Sequence, residues 1–206
     1  EGIFPSSAPI EIAAGARFEL AQGQGAGQVR LGAITGTGTF AFGSNLIIGD
    51  GNASGTFDGT FAGIGGLSIG GQIQKRGTGT IVFNGNAAAL GYALIEAGTL
   101  ALGSAASLPP GLDVFSGATF SAGTLIPEAT IDTALQSNWR IFPGAYFALD
   151  TSLGDRTFTL TINDPPDPNN PGNTGPLNFS KNGTNTLRMM AAQNYTGDTR
   201  IAEGAM

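Results

Sequence analysis

The chain has 206 residues, 34 of them glycine, with only 12% charged residues, a net charge of −6 and neither cysteine nor histidine. Nine scattered basic residues cannot form the Lys/Arg patch that a nucleic-acid backbone requires. Without Cys or His, the thiol nucleophile and the usual general base are missing, and so is a disulfide framework.

In chain order, residues 10–20 read as two short strands around the Ala14-Gly15-Ala16 corner. Strands follow at 29–31, 39–42, 46–48, 56–61 and 67–73, with Gly-rich turns between them. Apolar side chains alternate over four or five residues, which places them on one face of a strand, and the glycines permit sharp corners. Residues 75–103 continue with runs at 80–83, 94–95 and 99–102; after Phe120 come 130–135, 138–142 and 146–149. Residues 157–162, Thr-Phe-Thr-Leu-Thr-Ile, carry the cleanest period-two pattern in the chain.

One block recurs. Lys75-Arg76-Gly77-Thr78-Gly79-Thr80-Ile81 aligns without a gap on Lys181-Asn182-Gly183-Thr184-Asn185-Thr186-Leu187, at an offset of 181 − 75 = 106. The offset carries Gly91 onto Gly197, Ile95 onto Ile201 and Gly98 onto Gly204. Gly15, Gly117 and Gly144 each open a Gly-Ala-x-Phe segment. Irregular repeats of this size suit a solenoid whose coils accept insertions. Blocks 75–103 and 181–206 resemble the passenger-associated transport repeat of bacterial autotransporters, a Lys-x-Gly-x-Gly-Thr-Leu-x-Leu run followed by Asn-x-Tyr-x-Gly and a further strand. Residues 194–197, Asn-Tyr-Thr-Gly, keep the middle motif without the spacer between its Asn and Tyr, whereas residues 88–91 depart from it. The resemblance implies a right-handed parallel β-helix on a bacterial surface. It is expected to form one segment over 1–206, with about eight or nine coils of roughly 20–25 residues, stacked about 4.8 Å apart. Low charge fits this fold, because like side chains stack in successive coils and stacked like charges repel.

The core should be a ladder of Phe, Leu, Ile and Val, with Phe40, Phe83, Phe115, Phe120, Phe147, Phe158 and Phe179 pointing inward. Trp139 is either packed against that core or an exposed platform for a glycan; aromatic rings are mainly packing elements. Residues 163–176 hold five of the 11 prolines and must leave the coil as a loop, since proline cannot donate to a ladder. There, Asp164 and Asp167 with Asn169 and Asn170 supply oxygen atoms suited to calcium, or simply a solvated excursion. Asp50-Gly51-Asn52-Ala53-Ser54-Gly55 matches half of a calcium loop, but Phe61 stands where the closing Glu belongs, and an ordinary corner is the simpler account. Asn52, Asn178, Asn182 and Asn194 fit a glycosylation pattern and read more simply as corner asparagines.

No catalytic, cofactor-binding or metal-ligating residue is assigned. A carboxylate pair such as Asp164/Asp167 would be needed for glycosidic chemistry. Asp150, Asp155 and Arg156 look like a charged corner beside a strand. The second repeat stops at Gly204-Ala205-Met206, where the first continues, and residues 1–18 look like the missing continuation. The expectation is an extracellular structural rod, stalk or filament on a Gram-negative surface, continuing end to end with copies of itself or further coils. It is expected to be no enzyme and to carry no transmembrane segment. The alternative is an adhesin passenger for a host or glycan receptor, and a more remote one is a polysaccharide-degrading β-helix.

Overall fold

The computed structural model describes residues 7–20, 28–43, 45–64, 71–87, 89–136, 139–167, 170 and 172–206. It is a parallel β-helix. Strands are numbered in chain order. The longest sheet stacks nine of them: β1 (Ile10–Ile12), β4 (Ile34–Gly36), β7 (Gly55–Phe57), β10 (Thr80–Phe83), β12 (Thr99–Leu102), β14 (Thr119–Ala122), β16 (Tyr146–Asp150), β18 (Asn178–Asn182) and β20 (Thr199–Ile201). The second sheet runs β3 (Val29–Arg30), β6 (Leu46–Ile48), β9 (Gln72–Lys75), β11 (Tyr92–Ile95), β13 (Leu112–Val114) and β15 (Trp139–Ile141). The third face has two separate pieces, β2 (Arg17–Leu20) with β5 (Thr39–Phe42) and β8 (Thr60–Ala62), and β17 (Arg156–Phe158) with β19 (Leu187–Met189). Every pairing between these strands is parallel.

Register makes each side chain stack on its counterpart in the next coil. In the long sheet Ile81, Leu100, Phe120, Phe147 and Phe179 form one inward ladder, and all five are buried. The Phe120 and Phe147 rings stack at 6.0 Å. Outward, Thr80, Thr99 and Thr119 follow one another, an uncharged ladder in line with the low charge content. The nine strands fit the expected eight or nine coils, but coil length is less regular than expected. Phe83 to Leu102 is 102 − 83 = 19 residues, whereas Leu149 to Lys181 is 181 − 149 = 32, and the long coil carries the proline-rich excursion.

Four expectations need correction. Residues 130–135 lie not in a strand but in a helix, α1 (Glu128–Gln136). Pro127 suits the start of a helix, its carbonyl accepts the N–H groups of Thr130 and Ile131 at 3.0 and 3.2 Å, and Ile131, Ala134 and Leu135 fall on one helical face packed on the core. The 157–162 pattern pairs only as far as Phe158; beyond it, the Glu128 carboxylate at the start of α1 accepts both the N–H (2.5 Å) and the hydroxyl (2.8 Å) of Thr159, and Ile162 bonds the Gln193 side chain in place of a strand. Residues 56–61 form two strands, not one, with a corner at Asp58 and Gly59 that lets both Phe57 and Phe61 point inward. Phe115 is half-buried outside the core, stacked at 4.8 Å on Phe142 of the next coil. The other six phenylalanines expected inside are buried. Of the 67–73 segment, residues 67–70 fall outside the described residues, and Gln72 and Ile73 lie in β9.

Phe158 is 1% exposed, so Phe158→Asp would bury an unpaired charge and remove a ring's packing. A loss of at least about 4 kcal/mol is expected. Thr157→Ser, on the exposed side of the same strand, should stay within about 0.5 kcal/mol. Denaturant melts of the two variants check both values, and similar melts would place the Phe158 ring outside the core.

Candidate functional site

Three buried cations tie the corners together. Lys75 occupies an apolar ladder position between Ile48 and Ile95 and is fully buried. Its ammonium donates to the carbonyls of Arg76 (2.6 Å), Gly77 (2.7 Å) and Ala97 (3.1 Å), which lie in two successive coils. Lys181 stands between Leu149 and Ile201 and repeats the arrangement, donating to the carbonyls of Gly183 and Glu203. Gly77 and Ala97 lie 106 residues before Gly183 and Glu203, the offset of the two blocks. The repeated Lys is therefore a corner clamp, a role the sequence reading left unassigned. Gly98 and Gly204 complete it: both have φ near +67° (66° and 68°), and a Cβ there would lie 2.8 and 2.7 Å from the respective lysine nitrogen.

Arg156 is 8% exposed and uses its guanidinium in the same manner, donating to the carbonyls of Gly123 (3.0 Å) and Ile126 (2.7 Å). It thereby fixes the turn that leads into α1. Burial lowers its pKa, against the pull of Glu128 and Asp150. Asp150 itself accepts hydrogen bonds from Ser152, and Asp155 from the Thr186 N–H, so these acids serve the corner.

The other residues singled out by sequence also have structural partners. Asp50 lies 3.6 Å from Arg30, and the Asn52 side chain accepts the Thr78 N–H at 2.9 Å. Asn178 bonds the Asp198 N–H and the Gly144 carbonyl, and Asn194 bonds Asn163. The Ser180 hydroxyl donates to the Asn182 side chain. Asp164 accepts the N–H groups of Leu177 and Thr196, each at 2.9 Å, and the Thr196 hydroxyl at 2.7 Å. Burial raises the pKa of its carboxyl, but these hydrogen bonds outweigh it, and the group titrates below the ordinary carboxylate value. Asp164 thus pins both ends of the excursion. Asp167 starts a turn closed by the Asn170 N–H at 3.1 Å, and Asn169 lies outside the described residues. Among the described residues no cluster of three metal-ligating acids occurs.

Trp139 is 6% exposed, donates its indole N–H to the Pro109 carbonyl at 3.2 Å and meets Phe120 edge-on at 4.8 Å. It is packed, not a platform. It also borders a cavity of about 490 Å³ between β15, α1 and the start of the excursion. The floor is apolar, from Trp139, Ile141, Phe147, Ile162 and Leu177, and Arg140 and Asp164 stand among the polar lining groups. Arg140 is held there by Asp113 (2.7 and 2.5 Å) and the Tyr92 hydroxyl (3.2 Å). Asp113 raises its pKa further, keeping it a permanent cation. A hollow of this size with an apolar floor and a few fixed polar groups falls within the range of binding sites. Sequence periodicity alone could not locate it, because it arises where the second sheet ends.

The Lys75 clamp makes stability depend on pH. Burial brings its pKa down to about 8, against about 10.4 when unfolded. Below pH 8 both states hold the proton and the burial cost is present in full. Between about 8 and 10.4 the folded state releases its proton first, so stability rises with pH. Calorimetry from pH 7 to 10.5 should show a Tm increment in the parent that Lys75→Met lacks; equal slopes would contradict the buried ammonium. On the acid side, Asp164 contributes stability above its unfolded value that is lost as pH falls through its depressed folded one.

No family model and no solved structure matches the chain. Over 138 residues, 66% of its length, the chain is 33% identical to the adhesin BmaC autotransporter of Brucella suis biovar 1 (strain 1330). That stretch is 4% of the Brucella protein, so the chain spans a small part of it. No helix among the described residues is long and apolar enough to cross a membrane. The chain is a parallel β-helix whose sequence, over most of its length, is similar to an autotransporter adhesin.

Proposed function

We propose that the chain is a structural stretch of an extracellular passenger on a Gram-negative surface, a stalk built of stacked coils. The nine-stranded parallel sheet carries this proposal, because such a stack lengthens by adding coils without changing its internal contacts. Among the described residues β20 pairs with β18 on one side only, and all three of its residues are exposed. An open strand edge invites a further strand. That strand belongs either to more coils of the same polypeptide or to another copy in a contact that propagates without closing. In this reading the chain is not an enzyme, since the acids Asp150, Asp155 and Asp164 are committed to corner and loop bonds.

A second reading, adhesin binding to a host or glycan receptor, draws support from the name of the Brucella relative and from the cavity beside Trp139. Electron microscopy of the native assembly, with the mass of its denatured chain, tests the stalk. Rods of stacked coils are expected, either long filaments of chains near 20.7 kDa or segments of a far larger polypeptide. Compact globular particles in place of rods would contradict it.

A further inference from the structure

The cavity beside β15 lies at an interrupted sheet. Phe142 N–H donates to the Val114 carbonyl at 2.9 Å, so by strand alternation the backbone groups of Arg140 also face β13. Those of Trp139 and Ile141 then face the opposite way, toward the cavity that both residues line. Among the described residues, no backbone or side-chain group bonds to these two N–H and two C=O groups. Across the hollow, the chain is committed to the following coil. Ile162 donates its N–H to the Gln193 side chain at 2.8 Å, and its carbonyl accepts the Asn194 N–H at 2.9 Å. The second sheet therefore opens after its sixth strand, and α1 and the excursion flank the opening.

We propose that this opening binds an extended peptide segment of a partner protein, which adds to β15 as a further strand. The inference goes beyond the stalk reading and stands whether or not the coils continue end to end. The choice of ligand class follows from the backbone. Two N–H and two C=O groups at strand spacing call for a partner with the same alternating donors and acceptors, which is a main chain in extended form. Behind them, the apolar floor of Trp139, Phe147, Ile162 and Leu177 receives every second side chain, as the period of a strand requires. An alkyl chain would fill the floor and leave the edge groups without partners, which costs free energy. Alternating apolar residues on the peptide supply affinity, and the registered main-chain bonds set its position.

Trp139 is the chain's sole tryptophan and lines the cavity, so its emission reports occupancy directly. The probes are capped peptides alternating threonine with valine, isoleucine, leucine or phenylalanine, flanked by lysines. At least one is expected to shift Trp139 emission saturably and to slow hydrogen exchange at the Trp139 and Ile141 amides. N-methylation of the peptide nitrogens that face β15 should weaken that binding about tenfold or more. Ile141→Pro, which removes one edge donor and leaves the β13 ladder bonds in place, should weaken it likewise; the melt of this variant checks that the coil remains folded. If no peptide shifts the emission, or if N-methylated peptides bind equally well, the proposal is overturned. Displacement of the peptide by decanoate, with no effect of N-methylation, would identify an alkyl-binding hollow and also overturn it.

Discussion

Stacking each residue on its counterpart one coil away is the constraint from which the rest of this structure follows. It converts a short apolar alternation into a continuous ladder, Ile81 through Phe179, and leaves outward positions no place for runs of like charge. Where charges do face each other between coils, they are opposite: Arg30 with Asp50, Arg76 with Glu96, Asp113 with Arg140. The low charge content of the chain is thus a consequence of its neighbours being copies of the same position.

The same constraint creates a problem at the corners. A coil that turns sharply exposes carbonyl groups that no strand ladder satisfies, and buried carbonyls need donors. Lys75, Lys181 and Arg156 answer this with a buried cation and several carbonyls, and none of the three forms an ion pair among the described residues. Removing a carboxylate partner avoids competition for the cation's donors, and a multi-donor head can join two coils at once. The first clamp leads from the second sheet into the long sheet, while the other leads from the long sheet to the third face. The two blocks are therefore rotated by one face of the helix, which is why their 106-residue spacing is not a whole number of coils.

Much of this was legible because parallel β-helices write their ladders as local alternation. Phe40, Phe83, Phe120, Phe147, Phe158 and Phe179 could be placed inside from pattern alone. Phe115 could not, since it follows the end of β13 and points out of the corner onto Phe142. Residues 130–135 carry Thr130, Ile131 and Thr133, β-branched residues that favour strands, so local preference hid a helix that Pro127 and the apolar face toward the core decide. The strand at 157–162 ends at Phe158, and the residues after it bond side chains about 30 residues away, Thr159 to Glu128 and Ile162 to Gln193, which no local pattern reveals. The clamps were half visible: a lysine two residues before a glycine in both blocks was a signal, but nothing in it says that the ammonium turns inward. The cavity was not legible at all, because it exists only where one sheet stops and α1 and the excursion flank its end.

The chain's lack of cysteine allows the stacking register to be tested by engineered pairs. Thr99 and Thr119 are direct partners in adjacent coils, within the span a disulfide requires, whereas Thr99 and Ser121 are offset by two residues along the strand. The account predicts that Thr99→Cys with Thr119→Cys oxidises readily to an internal disulfide, seen by mass and by a gel shift, and that Thr99→Cys with Ser121→Cys does not. Equal oxidation of both pairs, or preference for the offset pair, would contradict the coil-on-coil register on which the ladders, the clamps and the stalk all rest.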